Sequence, residues 1–437
     1  MKCGGWADAN KRKGKADMQN AKKKTVKMAS RFPTDAESVE LRRISAEKEA
    51  AGVQCLAAHG KFYGDFQVES SQWEQPYRVE IRSLLGPLNS CSCSDHSMNR
   101  LGTCKHVERV LQVLSRRGKR AFEAAAAAGS PLYEIYLDVL AYPPKVRLLK
   151  PATAAPGLDK TLGTFFSSDG SLLGKAEDAV PAIERAGAHL PVRQRAQVRL
   201  SPLALSWAGS LRVSAAHAAL ADAYHCDVRD GKRAAEPLQL PLYDYQRDGM
   251  THLAFKGRAL LADEMGLGKT VQAIAASELL CQLGRAERIL VVSPASLKSE
   301  WEEQIRHFTG RVVQPVYGPR ALRLKNYREL PMYCLLNYEQ VRVDLDDINS
   351  ILRPDIVILD EAQRIKNWPT RTSKTIKRLQ SPFAFVLTGT PLENRIEELY
   401  SLVEFIDPQI FGSLFRFQRD FMAVDLEGGV HVKNLDE

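Results

Sequence analysis

The sequence predicts an α/β protein: a lobe built on a parallel sheet, preceded by a small α+β module and an accessory region. Three observations carry that prediction. From residue 240 onward, apolar runs at 258–261, 289–292, 332–336, 356–359 and 385–387 alternate with helical segments such as 271–283 and 297–308. Runs that are apolar on both faces and separated by helices indicate parallel strands covered on both sides. Residues 260–270 read Leu-Leu-Ala-Asp-Glu-Met-Gly-Leu-Gly-Lys-Thr, a loop between strand and helix, and an acidic pair, Asp360-Glu361, closes a later apolar run. Upstream of the lobe, Cys91, Cys93, Cys104 and His106 stand among short strand patterns.

From the N-terminus, residues 1–40 read as a disordered basic tail. Nine of the first 30 residues are Lys or Arg, against Asp8 and Asp17, so most of the formal charge of +9 sits there. Clusters such as Lys11-Arg12-Lys13 and Lys22-Lys23-Lys24 among small and polar residues cannot bury a core. Two readings stay open for the tail: a phosphate-seeking arm, because counterion release rewards any Lys-rich segment near DNA, or a solvated tail with no partner. The 437 residues, 44% of them hydrophobic, suffice for two or three domains. No apolar stretch approaches the roughly 20 residues that span a bilayer, and residues 1–30 lack the apolar centre of a secretory signal. The expectation is no membrane partner and a cytoplasmic, nucleoid-associated location, or a nuclear one in a eukaryote.

Residues 50–118 form the next unit. Eight cysteines in an intracellular chain argue against a disulfide framework, and Cys3, Cys55, Cys226, Cys281 and Cys334 are scattered. Cys91-Ser92-Cys93 and Cys104-Lys105-His106 are two ligand pairs, each separated by one residue. On extended chain that spacing puts both side chains of a pair on one side. Two facing pairs can close the tetrahedral S₃N shell of a structural Zn²⁺ site, with no position left open for water. Strand patterns precede them at 62–69 and 77–82, and 107–114 has helical apolar spacing. The stretch resembles the SWIM-type zinc finger, Cys-x-Cys, a spacer, then Cys-x-His before a helix. In that family the finger contacts DNA or protein, and both stay open here.

Residues 119–239 join this module to the lobe. Ala124 to Ala128 favour a helix that Gly129 stops, and prolines at 143, 144 and 151 break regular structure. Between 162 and 240 the pattern predicts mixed short strands and a helix over 215–224, an accessory packing region without a catalytic motif.

The lobe, 240–437, carries the chemistry. A loop ending in Gly-Lys-Thr lets backbone N–H groups and a helix N-terminus cradle phosphates. Its residues are Asp263, Glu264, Met265, Gly266, Leu267, Gly268, Lys269 and Thr270, with Asp263 standing where the usual pattern has its first glycine. Lys269 is placed to reach β/γ oxygens and Thr270 a Mg²⁺ ion. Asp360 is placed to hold the same Mg²⁺, and Glu361 to orient and deprotonate an attacking water.

The lobe resembles the first RecA-like lobe of Swi/Snf-related ATPases, a branch of the superfamily-two helicase-like proteins. The residues that carry the resemblance are Tyr245-Gln246-Arg247-Asp248-Gly249, residues 262–270, Ser293-Pro294-Ala295-Ser296-Leu297, Leu336-Asn337-Tyr338-Glu339, Asp360-Glu361-Ala362-Gln363 and Leu387-Thr388-Gly389-Thr390-Pro391-Leu392-Glu393-Asn394. Asp263 is ordinary for that branch. The resemblance implies that Gln246 reads adenine, although the same residue can simply cap a helix. Pro294 and Ser296 would meet a nucleic-acid backbone, and Thr388, Gly389 and Thr390 would couple nucleotide state to strand contact. Trp301 reads as a core anchor rather than a base-stacking residue. Gln363 stands where His is often found, which keeps hydrogen bonding and removes a titratable group.

The implied function is ATP-dependent translocation along double-stranded DNA, with ATP, Mg²⁺ and Zn²⁺ bound. Family members hydrolyse ATP between two lobes, the second donating arginines worth roughly 10³ to 10⁵ in rate. The sequence ends shortly after the first, so the expectation is a chain that binds nucleotide better than it turns it over. The alternative is a nucleotide-gated DNA- or protein-binding module.

Overall fold

The structure, a computed structural model, describes residues 32–69, 76–153, 155–329, 331–366, 370–389, 396–424 and 430–433. Most of the expected basic tail lies outside them. Residues 35–40 belong instead to a helix, Asp35–Glu49, which Thr34 opens with a capping box. The Thr34 hydroxyl accepts from the Glu37 N–H at 3.3 Å, and the Glu37 carboxylate accepts from the Thr34 N–H at 2.7 Å.

Strands β1 (Val53–Ala58), β2 (Gly64–Val68), β3 (Tyr77–Ile81) and β4 (Ser90–Cys91) form an antiparallel sheet in sequence order. Phe66, Val68, Val79 and Ile81 share a core with Val107, Val110 and Leu114 of the helix Lys105–Ser115, whose three- and four-residue spacing turns one stripe inward. A helix over Lys119–Ala128 ends at Gly129, where φ is +77°. The joining region holds a second sheet, β5 (Tyr133–Asp138) between antiparallel β6 (Lys145–Leu149) and parallel β7 (Val198–Leu200).

The short helix expected over 215–224 is part of one of 28 residues, Pro202–Arg229. Pro202 presets its first turn, and the Ala-rich stretch that follows offers little to stop it. Its Ala204 and Ala208 bury in the core around β5, and its Tyr224 buries in the core of the next sheet. One rod thus spans two units.

That next sheet has six parallel strands in the order β10-β11-β9-β12-β13-β8. They are β8 (Arg258–Leu261), β9 (Ile289–Ser293), β10 (Val313–Pro315), β11 (Tyr333–Asn337), β12 (Ile356–Leu359) and β13 (Phe383–Leu387). Alternate residues serve opposite faces. Ile289, Val291, Ile356, Ile358, Phe383 and Phe385 belong to one core, and Leu290, Val292, Val357, Leu359, Ala384 and Val386 to the other. This is the doubly covered parallel sheet that the apolar runs predict. Strand β10 has no counterpart among those runs, since three edge residues ending in Pro315 leave no period to read.

Polar contacts tie the units together. Arg199 of β7 donates to Glu134 of β5 at 2.7 Å, to Asp65 of β2 at 2.8 Å and to the Ile81 carbonyl at 3.0 Å, all buried. The spacer between the two ligand pairs docks on the helix Leu414–Phe421. The Ser413 N–H donates to the Met98 carbonyl at 2.9 Å, and Arg416 donates to the carbonyls of Asn99 and Arg100 at 2.6 and 3.1 Å.

Candidate functional site

The loop after β8 owes its shape to glycine and to one buried amide. Gly266 and Gly268 have φ of +89° and +71°, a region that L side chains avoid. At Gly268 a Cβ would also fall 2.6 Å from Gln246 Nε2. Gln272, fully buried one turn into the helix Lys269–Gln282, donates to Asp263 Oδ2 at 2.9 Å and to the Leu267 carbonyl at 3.2 Å. Asp263 therefore takes part in the loop's internal bonding at the place where other loops have glycine. The Lys269 ammonium folds inward, donating to the carbonyls of Asp263 and Glu264 at 2.8 Å each. Glu264, Met265 and Leu267 are exposed, and Thr270 sits half-buried in the helix's first turn.

Gln246 lies beside this loop. Its Oε1 accepts from the Tyr243 N–H at 3.1 Å, and its Nε2 is 3.5 Å from the Leu267 carbonyl. It thus caps the helix Asp244–Lys256 while its amide faces the loop. A cavity of about 450 Å³ opens here, lined by Tyr245, Asp248, Gly249, His252, Leu261, Asp263 and Leu267.

The acidic pair follows β12. Asp360 Oδ2 accepts from Trp301 Nε1 at 2.7 Å, Oδ1 accepts from the Glu361 N–H at 3.0 Å, and its backbone carbonyl accepts from the Tyr338 hydroxyl at 2.7 Å. Burial holds the Asp360 carboxyl above the usual range, partly offset by the Trp301 hydrogen bond. Glu361 adopts φ of +49°, and its carboxylate accepts from the Gln363 amide. Thr388, at the end of β13, donates to Gln363 Oε1 at 3.2 Å. The next residue, Gly389, lies so close to the loop that a Cβ there would stand 3.8 Å from Lys269 Nζ and 2.7 Å from Met265 Cγ. Lys269 and Gly389 therefore lie close together, and hydrogen bonds run from Thr388 through Gln363 to Glu361, along the carboxyl ends of β8, β13 and β12. Thr390, Asn394 and Asn367 lie outside the described residues.

Sequence reasoning missed what three side chains bond to here, although it names Trp301 as a core anchor and Tyr338 within a motif. Gln272 carried a weak signal, a polar residue between the apolar Val271 and Ala273. Trp301 and Tyr338 carried none, because an aromatic's hydrogen bond to a distant carboxylate or carbonyl leaves no periodic trace.

Cys91, Cys93, Cys104 and His106 converge, with their ligand atoms all within 4.8 Å of one another and all four residues buried. His106 Nδ1 is 3.7 Å from Cys91 Sγ and 3.9 Å from Cys104 Sγ, and Tyr77 stacks on the imidazole at 4.3 Å. A tetrahedral ion with bonds of about 2.0 to 2.3 Å sets its ligands roughly 3.5 to 4 Å apart, so the set fits Zn²⁺ in size and softness. Burial pushes the Cys91 and Cys104 thiols up, and hydrogen bonds from Cys104 and Cys91 hold Cys93 far below its ordinary value. The extended-chain account of the spacing holds for Cys91 in β4 and for Cys93 and Cys104, whose backbones are extended, but not for His106. Cys93 and Cys104 are each the N-cap of a helix, and His106 lies in the first turn that Cys104 opens, so helix starts bring the pairs together.

Comparison with known proteins gives the context. The SNF2-related domain matches residues 203–433. Chromodomain-helicase-DNA-binding protein 8 of Danio rerio is 31% identical over 201 residues, covering 41% of this chain and 8% of that protein. DNA repair and recombination protein RAD54B of Gallus gallus is 32% identical over 196 residues, covering 41% of this chain and 21% of that one. The chain thus spans a small part of the length of these relatives. Among solved structures, the Sulfolobus solfataricus SWI2/SNF2 ATPase core in complex with dsDNA is 30% identical, covers 43% of this chain and is covered to 40%, with a TM-score of 0.40.

Proposed function

The chain belongs to the SNF2-related family, and on that premise we propose that residues 240–437 are the first RecA-like lobe of an ATP-dependent translocase on double-stranded DNA. The observation that supports this reading is the sheet rim on which Lys269 lies close to Gly389 and Thr388 is bonded through Gln363 to Glu361. Residues 263–268 cradle the phosphates, Lys269 exchanges its loop carbonyls for β/γ oxygens, and Gln246 turns its amide to the adenine edge. The Thr270 hydroxyl and the Asp360 carboxylate are hard oxygen donors suited to Mg²⁺. Bound Mg²⁺ would neutralise the charge that develops on the transferred phosphoryl group. Glu361, held by Gln363, takes the proton of the attacking water. Duplex DNA as the track rests on the family and on relatives named one for helicase and DNA binding and the other for DNA repair and recombination.

The Cys/His cluster holds a structural Zn²⁺ in a SWIM-type finger, supported by four buried donors of matching size and softness. Residues 50–118 form the finger module and 119–239 the accessory region.

ATP turnover measured with and without duplex DNA, and with duplex RNA in its place, tests this function. Turnover that DNA stimulates and that falls by roughly 10²-fold or more in Lys269→Ala is expected. Normal stimulated turnover in Lys269→Ala contradicts it. Binding of ATP without turnover would favour the nucleotide-gated module.

A further inference from the structure

Trp301 has two sides. Its ring is fully buried in the core on one face of the six-stranded sheet, as an anchor would be, yet its one hydrogen-bond donor leaves that core and meets Asp360 Oδ2 at 2.7 Å. An indole carries a single N–H and accepts nothing, so when buried it takes whichever acceptor the fold offers, commonly a backbone carbonyl. Here the acceptor is a carboxylate, and a charge-assisted bond is shorter and roughly twice as strong as a neutral one. Asp360 is fixed on its other sides as well. Its N–H donates to the Val292 carbonyl of β9 at 2.9 Å, and its own carbonyl accepts from Tyr338, which follows β11. With the backbone held by those two bonds, the remaining freedom of Asp360 is the rotation of its carboxylate, and two bonds restrain it: the Glu361 N–H on Oδ1 at 3.0 Å, from the next residue, and the Trp301 indole on Oδ2 at 2.7 Å, from another element.

Trp301 sits in the first turn of the helix Lys298–Thr309, directly after the 3₁₀ turn Ala295–Leu297 that leaves β9. That turn belongs to the stretch whose resemblance places it against a nucleic-acid backbone. A shift of the helix start on strand contact would therefore be felt first at the Trp301–Asp360 bond.

We propose that Trp301 is a positioning residue for the metal-binding carboxylate: its indole N–H sets the rotamer of Asp360 and links the turn 295–297 to that carboxylate. This rests on the nucleotide-site reading given above. A core anchor alone predicts that Trp301→Phe, which keeps an aromatic ring and deletes the donor, lowers stability and leaves Mg²⁺ dependence alone. A positioning role predicts that the folded variant binds ADP in EDTA as the wild type does and needs about ten-fold more MgCl₂ to reach the Mg²⁺-dependent state, the loss of one hydrogen bond to a charged group.

The test titrates MgCl₂ at fixed ADP, in wild type and Trp301→Phe, by ADP binding. The indole N–H resonances of ¹⁵N-Trp-labelled protein are followed in parallel, the chain having five tryptophans. The Trp301 signal, assigned by its absence from Trp301→Phe or by its shift in Asp360→Asn if the first variant does not fold, should move as MgCl₂ is added. A folded Trp301→Phe with unchanged Mg²⁺ requirement, or a Trp301 resonance that stays still through the titration, overturns the proposal. Lys269→Ala separates the two readings. If ADP binding survives that substitution the nucleotide site itself is wrong, whereas loss there with no effect in Trp301→Phe removes the positioning role alone.

Discussion

Lys298 is a buried cation with no acidic group in direct contact among the described residues. Its ammonium donates to the Val316 carbonyl at 2.9 Å and to Gln340 Oε1 at 2.6 Å, and stands 4.7 Å from the centre of the Tyr317 ring. Burial lowers its pKa to about 8, Arg323 adds to the lowering, and Cys334 and Glu339 oppose it. The unfolded chain, with an ordinary lysine value, binds the proton more tightly than the folded one. Between about 8 and 10.5 the unfolded state therefore carries more protons, and stability rises with pH across that window. Lys298→Met removes this term and leaves the Val316 carbonyl its second donor, Gln340 Nε2 at 2.9 Å. Thermal melts at pH 7 to 10 should show the wild type gaining on Lys298→Met as pH rises. A difference that does not change with pH would contradict the assignment. None of this is visible in the sequence, which carries no mark of where the Lys298 side chain ends.

At the scale of elements, the spacer between the two ligand pairs is also a docking surface. Its helix, Ser94–Asn99, begins at Cys93, and the carbonyls of Met98, Asn99 and Arg100 accept from Ser413 and Arg416. The Zn²⁺ proposed for Cys93 and Cys104 would fix both ends of that spacer. Removing it with a chelator should raise amide hydrogen exchange in residues 91–106 and, with them, in 413–421. Exchange that rises in the first segment alone would show that the docking stands without the metal. The elements themselves were legible to different degrees. Five of the six lobe strands follow from runs such as Ile356–Leu359, because burial on both faces writes a continuous apolar stretch. The length of Pro202–Arg229 did not follow, since its burial is shared between two cores and no single face repeats along it. The Cys/His spacing pointed to a cluster, but the helix caps that build it depend on backbone geometry that spacing does not encode.

Across the whole molecule, the units are joined by contacts between residues far apart in the chain. Arg199 binds Asp65 and Glu134, Arg82 lies fully buried against Glu80 and Glu134, and Ser201 donates to Glu80 at 2.7 Å. Such a network gains little as pairs, because desolvation offsets attraction, but each charge needs the others, so it favours one arrangement of the two small sheets over alternatives. Sequence patterns read each unit separately and are silent on these seams, which join residues as far apart as Arg199 and Asp65, 134 positions. The loop and acidic motifs were legible because backbone approach to phosphate requires glycine and a hard cation requires oxygen donors. The aromatic side chains around Asp360 became apparent only from the fold. Calorimetric titration of ADP and MgCl₂ into residues 1–437 tests the central claim most directly. One site is predicted, lost in Lys269→Ala and stripped of its Mg²⁺ dependence in Asp360→Asn; binding of equal strength in wild type and Lys269→Ala would contradict the account.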